Sequence, residues 1–113
     1  MAGTPKTTGP LALTNTLTTN IYNNSSALIY DVVKHIHITN KTGSAATFTI
    51  YKGLTGANTA GTELFLGVSV AANSSFDYYP ANLVLKSTDF LVGGASANTT
   101  LVFTMVHEQY VVP

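Results

Sequence analysis

The side chains best suited to acid–base or metal chemistry near neutral pH are three histidines and five carboxylates in a 113-residue chain with no cysteine. Two of the histidines stand one residue apart, in His35-Ile36-His37. Alternate residues of a strand point the same way, so both imidazoles belong to one face. That is the geometry of a two-histidine metal edge. His107 and Glu108 occupy a second apolar run and supply further ligands if that run lies alongside, since zinc takes three or four. His-x-His is nevertheless a common and unspecific pattern. The reading preferred for His35 and His37 is a polar sheet face or a subunit contact, and no metal, cofactor or small-molecule substrate is expected.

Other chemistry finds less support. Asp31, Glu63, Asp77, Asp89 and Glu108 are scattered singly, where glycoside chemistry needs a pair. The many serines and threonines lack the glycine-rich elbow of a hydrolase nucleophile. Gly53-Leu54-Thr55-Gly56 and Gly93-Gly94 lack the lysine and the following helix of a phosphate loop. The expectation is a protein that is not an enzyme. Phe76, Tyr78, Tyr79 and Tyr51 form an aromatic group. The tyrosines Tyr51, Tyr78 and Tyr79 suit a half-wet protein interface better than a sugar platform.

The elements that must carry these residues read as strands. Leu11, Leu13, Leu17 and Ile21 alternate with threonines and alanine, the period of a half-buried strand. From Leu28 to Thr39 the chain is rich in β-branched residues. Val32, Ile36 and Ile38 are assigned to one face, interrupted by Lys34, and Val33, His35, His37 and Thr39 to the other. Asn40-Lys41-Thr42-Gly43-Ser44 reads as a hairpin-type loop. In Thr47–Lys52, Phe48 and Ile50 point inward, and Thr47, Thr49 and Tyr51 outward. A small-residue loop, Gly53 to Thr62, precedes strands at Glu63–Val70, Ser75–Tyr79, Leu83–Leu85 and Phe90–Val92. Gly93-Gly94 breaks the pattern, and a last strand covers Thr99–Val112. Seven or eight short strands with closely spaced turns predict an all-β, single-domain sandwich of jelly-roll or immunoglobulin-like type. Met1–Pro10, with Pro5 and Pro10, is expected to be an extended arm ahead of a domain spanning 11–113.

Composition sets the outer bounds. The chain is 45% hydrophobic and only 9% charged, against roughly 25% charged in ordinary soluble domains. Formal net charge is +0 and every basic residue is a lysine. A neutral chain without arginine has no electrostatic footprint for nucleic acid or an acidic membrane. The N-terminus lacks the apolar core of a secretory signal, and no apolar run has the length of a membrane span. With so few charges available to blunt sheet edges, the chain is expected to cover its edges by association.

Val32-Val33-Lys34-His35-Ile36-His37-Ile38-Thr39-Asn40-Lys41-Thr42-Gly43-Ser44-Ala45-Ala46-Thr47-Phe48-Thr49-Ile50-Tyr51 resembles small virion proteins of tailed bacteriophages. They share a strand, an Asn-x-Thr-Gly-Ser-Ala hairpin and a second strand. Val70-Ala71-Ala72-Asn73-Ser74-Ser75-Phe76 and Leu83-Val84-Leu85-Lys86-Ser87-Thr88-Asp89 are similar to their second half, so the likeness runs from Thr19 onward. It marks fold positions and transfers no functional residue. It implies a virion sandwich made in the host cytoplasm. The leading expectation is a capsid decoration, or cement, protein that contacts the major capsid protein and itself, as a homotrimer. Its arm, with Met1, Thr4, Pro5, Lys6 and Pro10 as contacts, would reach at most about 35 Å. The alternatives are a tail, tail-tip or fibre-associated protein, a carbohydrate-binding module, and a cupin-like metal enzyme resting on His35 and His37 alone.

Overall fold

The computed structural model describes residues 3–17, 19–24, 26–54, 63–81 and 83–112. These residues form nine strands and no helix: β1 (Thr4–Ala12), β2 (Asn20–Tyr22), β3 (Ile29–Asn40), β4 (Ala46–Leu54), β5 (Glu63–Val70), β6 (Ser75–Tyr78), β7 (Val84–Leu85), β8 (Asp89–Ala95) and β9 (Leu101–Val111). One sheet has the order β1-β9-β3-β6, with β7 also on β3, and the other has the order β2-β8-β4-β5. All pairings are antiparallel, and those between the two halves of the chain nest: β4 with β5, β3 with β6 and β7, β2 with β8, β1 with β9. The chain is thus one long ribbon folded at the β4–β5 connection, whose two arms pass together from sheet to sheet. Rolling it up brings β9 against β3 and β8 against β4. Of the two sandwich types expected, this order is the jelly roll.

Alternation builds the core. Leu101, Phe103, Met105 and His107 of β9 are buried, while Val102, Thr104 and Val106 lie outward. They meet Ile36 and Ile38 of β3 and, from the opposite sheet, Ile21, Phe48, Ile50 and Leu91. The sheets are pinned at one end by aromatic rings. Phe48 and Phe65 come from the smaller sheet, Phe76 and Tyr78 from the larger. Centroid separations run from 5.0 to 5.5 Å in tilted and edge-on arrangements.

Several sequence expectations are corrected. Asn40–Ser44 does not join a hairpin, because β3 and β4 belong to different sheets. It is an arch held by one buried side chain. Asn40 donates to the carbonyls of Ser44 (2.8 Å) and Val70 (3.0 Å). It accepts from the Thr42 amide (2.9 Å) and hydroxyl (2.7 Å). Leu11–Ile21 is not one strand: β1 ends at Ala12, and Leu13 is buried in a connection that leads to β2. Gly93-Gly94 does not end a strand, since β8 runs through both to Ala95. A Cβ on Gly93 would strike the Thr49 carbonyl of neighbouring β4, so glycine here permits close approach of two backbones. Thr49 and Tyr51 alternate with the core residues Phe48 and Ile50, as expected, but are buried rather than open to solvent. Residues 4–10 lie within β1, where residues 4–8 pair with β9 and the register shifts at Gly9-Pro10 before pairing resumes at Leu11. The boundary placed between Pro10 and Leu11 therefore falls inside a strand.

The face assignment along β3 changes most. Lys34 is an extra residue relative to β9, where Val33 pairs with His107 and His35 with Val106. This bulge reverses the alternation. Asp31 and Val33 point inward before it, and Ile36, Ile38 and Asn40 after it. His35, His37 and Thr39 share the outer face as expected, but Val33 does not join them.

Candidate functional site

Two histidine–aspartate systems result, one on each face of β3. On the outer face, β6 lies beside β3 with Asp77 opposite His37. Because Phe76 and Tyr78 take the inward positions of β6, Asp77 points outward toward the two imidazoles. Asp77 Oδ1 accepts from His37 Nδ1 at 2.6 Å and from His35 Nε2 at 2.8 Å. The rings are held from behind. Thr39 Oγ1 lies 2.7 Å from His37 Nε2. Tyr79 stacks on His35 with centroids 4.3 Å apart and planes 4° from parallel. The His37 hydrogen bond, then that from His35, holds the Asp77 carboxyl below its ordinary value of 3.8. Donor atoms of all three residues lie within 4.8 Å of one another.

On the inner face, Asp31 of β3 and His107 of β9 form a buried pair, Nδ1 to Oδ1, at 2.7 Å. Asp31 Oδ2 also accepts from the Tyr22 hydroxyl (2.9 Å) and Asn24 Nδ2 (2.8 Å). Three donors thus converge on its two oxygens. Gln109 Nε2 donates to the Tyr22 hydroxyl at 3.2 Å. Burial, then the hydrogen bond to Asp31, pushes the Tyr22 hydroxyl up from 10.0 to about 12, partly opposed by Gln109. The other ring nitrogen, His107 Nε2, lies 2.9 Å from Thr8 Oγ1 on β1.

Thr8, His107 and Asp31 therefore stand in the order of a hydrolase triad: hydroxyl, imidazole, carboxyl. Their setting is that of a clamp. His107 is 2% exposed and Asp31 0%. A cleft of about 490 Å³ lies along Ala27, Tyr30, Val84 and Val112, and one of about 260 Å³ along Asn15, Thr47 and Gly94, with neither Thr8 nor His107 in either lining. The network ties β1, β2, β3 and β9 together and satisfies its own polar groups. No buried side-chain nitrogen or oxygen lacks a partner among the described residues.

The structure distributes the sequence candidates widely. His35 and His37 come together with Asp77, which sequence reasoning treated only as a lone carboxylate. His107 is on the adjacent strand as required, but it faces inward and joins Asp31. Glu108 pairs with Lys34 at 3.3 Å. Because His35 and His37 lie outside the sandwich, a cupin-like centre inside the roll cannot be built from them. Of the contact candidates, Thr4, Pro5, Lys6 and Pro10 are exposed along β1, and Tyr79 is exposed. Tyr78 is half-buried against Phe65 and Tyr51 is buried, so neither ring is an open surface. Met1 and residues 55–62 of the glycine-containing loop lie outside the described residues. The signal that could have found Asp77 is its alternation with Phe76 and Tyr78. Its partner strand was not legible from sequence.

No family model matches the chain, and no curated protein matches it.

Proposed function

We propose that the chain is a structural protein of a tailed-bacteriophage particle, a capsid decoration (cement) protein that binds the lattice of the major capsid protein. The observation that carries the reading is a surface poor in charge and punctuated by large apolar side chains. Leu28, Tyr79 and Leu66 are 73%, 71% and 70% exposed, and Val111 and Val112 lie uncovered at the end of β9. Depletion of charge with exposed aromatic and aliphatic groups suits contact with protein. The free edge of β1 fits the same reading. Pro5, Lys6 and Pro10 interrupt it, which opposes indiscriminate strand addition and favours docking by side chains. A closed jelly roll provides a rigid body, and repetition over a lattice turns a modest contact into firm attachment. The resemblance of residues 32–51, 70–76 and 83–89 to virion proteins supplies the particle.

The test is copy number per purified particle, by quantitative mass spectrometry against the major capsid protein. Hundreds of copies in simple ratio to the capsid protein are expected. A few tens or fewer would move the protein to the tail. Absence from the particle would refute the virion reading.

A further inference from the structure

The outer face of β3 offers a second, independent property. We infer that His35, His37 and Asp77 form a binding site for a divalent transition metal ion of the zinc class, on the outside of the larger sheet. Three features carry this beyond a chance cluster. First, the ligand set is two imidazole nitrogens and one carboxylate oxygen, which suits zinc, cobalt or nickel and disfavours calcium and magnesium, ions that want oxygen alone. Second, the spacing is close to what an ion requires. In tetrahedral zinc, with bonds near 2.0–2.2 Å, ligand atoms lie about 3.4 Å apart. Here the two nitrogen–oxygen separations are 2.6 and 2.8 Å, and all three donors fall within 4.8 Å. Room for the ion requires Asp77 to withdraw by about 0.6–0.8 Å, the gap between those two separations and the tetrahedral spacing, and the two imidazole nitrogens to draw together toward the same spacing. Asp77 stands on a short edge strand, where such movement meets little resistance.

Third, the groups behind the ligands match what a metal site needs. A ligating histidine holds its other ring nitrogen on a polar partner, which fixes the tautomer. Thr39 does this for His37. A threonine hydroxyl both donates and accepts. Without metal, His37 Nδ1–H donates to Asp77 while Nε2 accepts from Thr39. With metal, the proton moves to Nε2, the same hydroxyl accepts it, and Nδ1 is left free to coordinate. Tyr79, stacked flat on His35, limits rotation of that ring. Both imidazoles now share one carboxylate oxygen, and an ion would replace that crowded arrangement with a bond to each. Three protein ligands leave a coordination position for water or a side chain of a neighbouring molecule.

The test uses the intact chain in chelator-treated buffer, titrated with zinc chloride by calorimetry, and with cobalt chloride, whose visible spectrum reports coordination number. One zinc per chain is expected, with a four-coordinate cobalt spectrum and no response to calcium or magnesium chloride. His37→Ala and Asp77→Asn, confirmed as folded by circular dichroism, should weaken zinc binding at least about tenfold, and Thr39→Val should weaken it by about tenfold while keeping every ligand. Absence of saturable binding would overturn the inference. So would binding that His37→Ala and Asp77→Asn leave unchanged. Neither result bears on the virion reading, which stands or falls on copy number.

Discussion

Asp31 with His107 and Asp77 with His37 are the same chemical pair at nearly the same distance, 2.7 and 2.6 Å, on opposite faces of one strand. Their surroundings differ in every other respect. The inner pair is sealed, and each polar atom has a protein partner. With Thr8 of β1, Tyr22 of β2 and Asn24 just after it, the network around the pair draws on four strands, so it is complete only once the roll has closed. The outer pair is open to solvent, and His37, His35 and Asp77 stand on two neighbouring strands. Burial turns one pair into a rivet and leaves the other available for a ligand. Breaking a buried pair strands a desolvated group, whereas water replaces either member of an exposed one.

The largest effect should come from the rivet. His107→Ala leaves Asp31 buried without its main partner and should cost about 3–5 kcal/mol in urea unfolding. If it costs no more than His37→Ala, the contrast between the faces is wrong. Tyr22→Phe removes a hydrogen bond to the same carboxyl and should cost about 1.5–3 kcal/mol. The same variant has a pH signature. The folded protein holds the Tyr22 proton up to about pH 12, against 10.0 for an ordinary tyrosine. Its contribution is complete below pH 10 and is lost as pH rises from 10 toward 12. Tyr22→Phe should flatten that alkaline limb of stability against pH. Thr8→Val should cost about 0.5–1.5 kcal/mol, the ordinary worth of one hydrogen bond, and loosen β1 first, as read by amide exchange of residues 4–12. The smallest effect belongs to the outer face. Asp77→Asn should leave the neutral-pH unfolding midpoint close to that of the parent protein. Because the Asp77 carboxyl is held below 3.8, its contribution is present above that pH and fades as acid protonates it. The variant should lack this small contribution above 3.8, so that its stability falls less on acidification than that of the parent protein.

A single inserted residue separates the two systems. Sequence alternation put His35 and His37 together on one face, and they are together. It also put Val33 with them, because parity counted along the chain cannot reveal a bulge. Lys34 is extra only relative to β9, some seventy positions away, and that pairing exists only in the closed sheet. Without the bulge, His35 and His37 would share the inward face with Asp31. The same limit hid Asp77. Its outward direction follows from Phe76 and Tyr78, but its place beside His37 depends on β6 finding β3 across 40 residues.

The all-β class, most strand positions and the inward pair Phe48 and Ile50 were determined by the sequence alone, since period-two burial is local and each strand carries its own pattern. Asn40 and Thr42 announced a turn, but only the tertiary structure made it an arch between sheets rather than a hairpin. Gly93 announced a break, but the neighbouring backbone of β4 made it a point of close approach inside a strand. Strand order, the buried Asp31–His107 rivet and the outer His35–His37–Asp77 cluster were decided by the rolling of the ribbon. Each joins residues that meet only after distant segments have paired, and a pairing between distant segments is a property of neither segment by itself.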